Sequence, residues 1–129
     1  MVLTAIEKLK QMRVLLIDDD QWIRSSLSYY FRKKTRGFYA VETAEEALSY
    51  LDKQTCDIVI CDYKLPGMDG LTLLNRLKKL PHPVLSILIT AYTTEEVISR
   101  AEIIGLDGFI KKPFNARDIE ELLEKLIQG

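Results

Sequence analysis

The chain has 129 residues, enough for one ordinary domain, and its 47% hydrophobic content suffices to cover a sheet on both faces. With 18 basic and 19 acidic residues the formal charge is -1, which gives no electrostatic case for a nucleic-acid or membrane surface. The two cysteines, Cys56 and Cys61, make no disulfide or zinc pattern, no apolar run nears the ~20 residues of a membrane span, and no secretory leader is read, so a reduced cytoplasm is expected.

Residues 1–12 mix polar and apolar types, with Leu3, Ile6, Leu9 and Met12 three apart. A helical lead-in, a remnant of a longer parent and a frayed tail fit this stretch equally well. From Arg13 the pattern becomes a continuous apolar run, Val14 to Ile17, which suits a strand buried on both faces. Gln21 to Lys34 reads as a helix with Asp20 as N-cap and Ile23, Leu27, Tyr30 and Phe31 on one side. Gly37 marks its end and Tyr39 to Glu42 makes a short second strand. Thr43 then opens a helix in which Glu46 completes a capping box. Asp57 to Asp62 is the third strand, the turn residues from Leu65 to Gly70 follow, and Leu71 begins the third helix. The fourth strand runs from Leu85 to Thr90, and a helix from Thr94 to Ile104 ends at Gly105. Gly108 to Ile110 is a brief fifth strand, Pro113 forbids its continuation, and Asn115 caps a last helix. Five βα units in this order predict an α/β fold, a parallel five-stranded sheet with right-handed crossovers and helices on both faces.

In such a sheet the carboxyl ends of neighbouring strands lie side by side, so the residues that follow them meet in one crevice. Here these are Asp18, Asp19 and Asp20 after the first strand, Asp62 at the end of the third, Thr90 at the end of the fourth, and Lys112 past the fifth. Converging carboxylates repel each other, and a divalent cation with a preference for oxygen ligands relieves them. A carboxylate can also attack phosphorus, and phosphoryl transfer needs its oxygens held and their charge neutralised. Asp62, alone before a Gly/Pro loop, is the nucleophile candidate. Any one of these acids taken singly is as readily a cap or turn former. Asp18 and Asp19 are read as pointing inward, with Asp20 as the cap.

The segments LLIDDD, CDYKLPGMDG, LITA and GFIKKPF resemble the receiver (CheY-like) domain of bacterial two-component response regulators over roughly residues 12–128. That resemblance sets residues 1–11 apart as an N-terminal extension and 12–129 as the receiver domain. It implies a doubly wound, flavodoxin-like (βα)5 fold with strand order 2-1-3-4-5. It also implies that Asp62 is the phosphoacceptor and that the cofactor is Mg²⁺, with Mn²⁺ as an alternative. The metal would be held by Asp19, Asp62 and the Lys64 backbone carbonyl, and by Asp18 through water. Thr90 and Lys112 would bind the phosphoryl group, Phe109 would be the switch aromatic, and the Lys112–Pro113 peptide would be cis. Phosphorylation would alter the face built from the helices of the last two βα units and the fifth strand between them. For Phe109, a plain core aromatic is the alternative.

Lys64 and Tyr92, two residues beyond the acceptor and the hydroxyl, are expected to flank the mouth of the site, with small Ala91 admitting the phosphodonor. Shielding by these side chains predicts slow self-dephosphorylation; ordinary loop exposure is the competing reading. His82, between two prolines on the opposite side of the sheet, is not read as a phosphate carrier. Trp22 is read as packing beside the acidic pocket, with exposure for a partner as the alternative, and Glu120, Glu121 and Glu124 as a solvated face.

The implied partners are a sensor histidine kinase or histidine phosphotransfer protein and a downstream protein or attached output domain. Neither nucleic acid nor membrane is expected to bind directly, and a monomer or weak phosphorylation-dependent dimer is expected. The chain is thus read as a phosphoacceptor with self-phosphorylation and self-dephosphorylation chemistry, not a turnover enzyme. A haloacid-dehalogenase-type phosphohydrolase is a competing class, because Asp18 and Asp20 offer its Asp-x-Asp. It is disfavoured by Gln21-Trp22 where that family has a Thr or Val soon after the pair, and by Asn115-Ala116 where it has further acidic metal ligands beyond the lysine. A phosphorylation-independent interaction module is a third class, disfavoured because an unused acidic pocket is costly.

Overall fold

The computed structural model describes residues 2–128. Its elements follow in the order α1 (Ala5–Leu9), β1 (Arg13–Ile17), α2 (Gln21–Phe31), β2 (Gly37–Val41), α3 (Ala44–Lys53), β3 (Ile58–Asp62), α4 (Gly70–Leu77), β4 (Leu85–Thr90), α5 (Glu95–Ile104), β5 (Gly108–Lys111) and α6 (Ala116–Gln128). The five strands form one parallel sheet in the order β2-β1-β3-β4-β5, the expected fold.

Successive side chains of a strand point to opposite faces, and the central strands here are apolar at every step, so each face carries its own core. On one face Val14, Leu16, Ile58, Ile60, Ile87 and Ile89 pack with Leu27 and Phe31 of α2 and Ile119 and Leu123 of α6. On the other, Leu15, Ile17, Val59, Cys61 and Leu88 pack with Ala44 and Ala47 of α3, four leucines of α4, and Val97 and Ala101 of α5. Cys56 and Cys61 are buried as small apolar groups; burial pushes the Cys56 thiol up to about 12 and the Cys61 thiol well above its ordinary value, so neither is ionised.

The N-terminal stretch contains a sixth helix. Thr4 accepts a hydrogen bond from the Glu7 N–H and Glu7 accepts one from the Thr4 N–H, a complete capping box. Ala5 and Leu9 are buried, and α1 packs against α6 on the α2/α6 face. Thr43 caps α3 through the Glu46 N–H, but Glu46 returns its carboxylate to the Thr43 hydroxyl and not to the backbone, so only half of that box forms. Asn115 and Asp118 make the reciprocal pair instead at the start of α6. Gly37 belongs to β2 as its first residue.

The reading of Glu120 as part of a solvated face is corrected. It accepts a hydrogen bond from the Tyr30 hydroxyl and pairs with Lys34 at 3.1 Å. It follows the buried Ile119 by one helical step, which turns it toward α2 rather than to bulk water.

Candidate functional site

Strand register decides which side chains meet. Ile17 lies opposite Val41 and Cys61, Asp62 opposite Ile89, and Thr90 opposite Lys111. The ladders run one step further: the Asp18 N–H donates to Val41 O, Tyr63 N–H to Ile89 O and Lys112 N–H to Thr90 O. Asp18, Asp62, Thr90 and Lys112 therefore stand at one edge of the sheet, as the sequence predicts.

One oxygen from each of Asp18, Asp19 and Asp62 lies within 4.8 Å of the others. Asp18 is the deepest, fully buried; its Oδ1 accepts a 2.9 Å hydrogen bond from the Asp20 N–H. Its Oδ2 is buried without a hydrogen-bond partner, and Lys112 Nζ approaches it only to 3.8 Å. Burial foremost pushes the Asp18 carboxyl up to about 6; the Asp20 amide opposes this, the Asp62 charge adds to it, and Lys112 opposes it again. Burial likewise raises Asp62, against the pull of Lys112 Nζ at 3.2 Å and the Lys64 N–H. Asp19 is exposed at the mouth, and Asp20 caps α2 by accepting from the N–H groups of Trp22 and Ile23.

A buried carboxylate oxygen with no donor, beside two further acids, costs several kcal/mol if left ionised and unpaired. An all-oxygen donor set with that deficit fits a hard divalent cation. The residues present therefore suit Mg²⁺.

Asp19, Asp62, Lys64, Leu65, Pro66, Ala91, Tyr92 and Lys112 line an open cleft of about 460 Å³. At roughly 30 Å³ per water molecule, that holds a phosphoryl group with several waters. Lys64 Nζ lies 3.2 Å from the Tyr92 hydroxyl and 5.4 Å from its ring centre, so these two side chains join across one rim of the cleft. Ala91 lies exposed in the same lining. Thr90 is buried, and its hydroxyl is engaged by its own loop: it accepts from the Tyr92 N–H at 2.7 Å and donates to the Tyr92 carbonyl at 3.3 Å. Phe109 is half-buried and borders a groove beside Ile98 and Ala101 of α5. The Lys112–Pro113 peptide is cis.

Trp22 does not pack beside the acids; it is 79% exposed. Helical pitch explains the correction, because Ile23, Leu27 and Phe31 already occupy the inward stripe of α2 and Trp22 sits about 100° off it. It borders a groove with Leu27, Pro113 and Phe114 instead. His82 lies exposed at the opposite edge of the sheet, beside Thr55, Cys56 and Val84, away from the carboxylates.

Two residues at the site escaped the sequence reading. Gly70, taken only as a turn residue, donates its N–H to the Tyr63 carbonyl at 2.7 Å, and a Cβ there would fall 2.1 Å from the Asp62 carbonyl oxygen. No side chain is compatible with that approach. Arg24, taken as an ordinary helix residue, donates from Nη1 to the Asp18 carbonyl at 2.9 Å. A glycine eight residues after an aspartate is a weak local signal, and nothing in the local pattern singles out the arginine.

Known proteins are similar to this chain over nearly its whole length. CheY-3, a chemotaxis protein of Vibrio cholerae, is 35% identical over 92% of this chain and 94% of its own. Sporulation initiation phosphotransferase F of Bacillus subtilis is 30% identical over 89% and 93%. A CheY-like receiver domain structure from Methanospirillum hungatei superposes with a TM-score of 0.85 at 29% identity, covering 92% of this chain and 94% of that one. Residues 14–124 match the family model of the response regulator receiver domain, and the chain belongs to that family.

Proposed function

We propose that this receiver domain, spanning residues 12–129 with residues 1–11 as an extension, accepts a phosphoryl group on Asp62 from a phosphohistidine. The single observation that carries the reading is the Asp62 carboxylate, held in an open cleft 3.2 Å from Lys112 Nζ and within 4.8 Å of two further acids. An Asp62 oxygen attacks phosphorus, the P–N bond of the donor breaks, and its electron pair stays on the imidazole of a sensor kinase or phosphotransfer protein. In the return reaction water attacks phosphorus, the bond to Asp62 breaks, and inorganic phosphate leaves. Asp19, Asp62 and the Lys64 backbone carbonyl, with Asp18 through water, would hold a divalent cation, Mg²⁺ or Mn²⁺, which when bound would supply positive charge to the phosphoryl oxygens. Lys112 neutralises the same group from the other side.

The Thr90 hydroxyl, released from Tyr92, donates to the phosphoryl group. Its movement biases the Phe109 ring and, with it, the surface of α5, β5 and α6 that a downstream protein or output domain reads. Because α1 is additional, this is the face formed by the last two βα units. Lys64 and Tyr92 restrict the path of attacking water, while Ala91 leaves room for the donor. The aspartyl phosphate is a signal with a lifetime rather than a turnover intermediate. The chain works in the cytoplasm, without nucleic-acid or membrane contact of its own, as a monomer or a weak phosphorylation-dependent dimer. Among the described residues no helix is long and apolar enough to cross a membrane.

Incubation with acetyl phosphate and Mg²⁺ tests the reading by intact mass and peptide mapping. One phosphoryl group, on Asp62 and dependent on the cation, is expected. Labelling elsewhere, no labelling of the native protein, or undiminished labelling of Asp62→Asn would overturn it.

A further inference from the structure

We infer that Arg24 is a positioning residue for the metal site, acting through the peptide that joins Asp18 to Asp19. The inference rests on the reading of Asp18, Asp19 and Asp62 as cation ligands. The half-buried guanidinium donates to the Asp18 carbonyl at 2.9 Å and forms no ion pair with a carboxylate among the described residues.

The hydrogen bonds around the acidic loop leave that task to it. The Asp18 N–H extends the sheet ladder to Val41, the Asp20 N–H is taken by Asp18 Oδ1, and the Asp20 carboxylate is occupied with capping α2. The Asp19 carboxylate has no hydrogen bond or ion pair among the described residues, so nothing on its own side chain orients it. Its direction follows from the backbone plane between residues 18 and 19, and the Arg24 guanidinium holds the carbonyl of that plane. Arg24 stands on the first full turn of α2, where its N–H bonds to the Asp20 carbonyl, so the helix carries the donor rigidly.

The chemistry of the donor also matters. Lys112 already contacts carboxylate oxygens, at 3.2 Å on Asp62 and 3.8 Å on Asp18. A second cation bound to the acids would compete with metal for the same lone pairs. Arg24 spends its donor on a carbonyl and leaves those oxygens free, the role of groups that orient metal ligands from outside.

The test is Mg²⁺ titration of the full chain, followed by NMR at the Asp19 and Asp20 amides, for native protein and for Arg24→Met, which keeps the apolar stem and removes the donors. About tenfold weaker Mg²⁺ binding is expected, at the lower end of the loss typical for such outer groups. The Mg²⁺ concentration giving half-maximal labelling by acetyl phosphate should rise by the same factor, with the native rate restored at saturating Mg²⁺. A purely structural role would lower the thermal midpoint and leave Mg²⁺ affinity unchanged well below it. Affinity within twofold of native in folded Arg24→Met overturns the inference, while native protein that neither binds Mg²⁺ nor labels at Asp62 overturns the reading beneath it.

Discussion

Asp18 is held fully buried with an oxygen that no protein donor satisfies, so its charge is costly to the fold. Its folded-state carboxyl stands near 6 against an ordinary 3.8, so between those values the native state holds the proton more tightly than the unfolded chain. Stability contributed by that proton is therefore lost as pH rises from about 4 to 6, and the deficit persists above. Asp18→Asn removes it: without metal, the variant should gain on the order of 2–3 kcal/mol over native at pH 7 and little at pH 4. Urea unfolding at both pH values measures the difference, and an equal gain at both would reject this account. Tyr92 stands at the rim of the cleft rather than on its floor. If its ring, joined to Lys64, screens Asp62 from water, the phosphorylated Tyr92→Ala protein should lose phosphate several-fold faster than native. Timed release of inorganic phosphate checks it, and an unchanged or slower rate would reject shielding.

Among the elements, α1 is the one that residue pattern left open. The three-residue spacing of Leu3, Ile6, Leu9 and Met12 suits a helix, but five residues of helix have almost no stability alone. Its existence depends on α6, against which Leu9 is buried to 2% exposure while Ile6 stays 61% exposed. If α1 is integral, Leu9→Ala should cost about 2–4 kcal/mol, and Ile6→Ala less than about 0.5 kcal/mol. Denaturant midpoints of the two variants decide this, and similar small losses would mean a detachable helix. The other elements were legible because each boundary carries its own chemistry: Asp20, Thr43, Asp69 and Thr94 all accept N–H groups at helix starts, and Gly105 closes α5 at φ 81. Helix faces were less legible. Trp22 and Glu120 were misplaced because one residue along a helix is a rotation of about 100°, enough to exchange solvent for a neighbouring helix.

Across the molecule, charge is nearly balanced in total yet unevenly placed, since three carboxylates converge at one sheet edge. Composition alone sees only the sum. The alternation of apolar strands with capped helices, and the acids, hydroxyl and lysine at strand ends, were determined by sequence, because a parallel sheet brings those ends together whatever the loops do. Local spacing could not reach what depends on three-dimensional approach. The Gly70 backbone against Asp62, the Arg24 guanidinium on the Asp18 carbonyl and the Thr90 hydroxyl turned to Tyr92 join groups through packing and not through sequence periodicity. Only tertiary structure decided them, since a hydrogen bond is settled by tenths of an ångström and a few tens of degrees, finer than any pattern of residue types specifies.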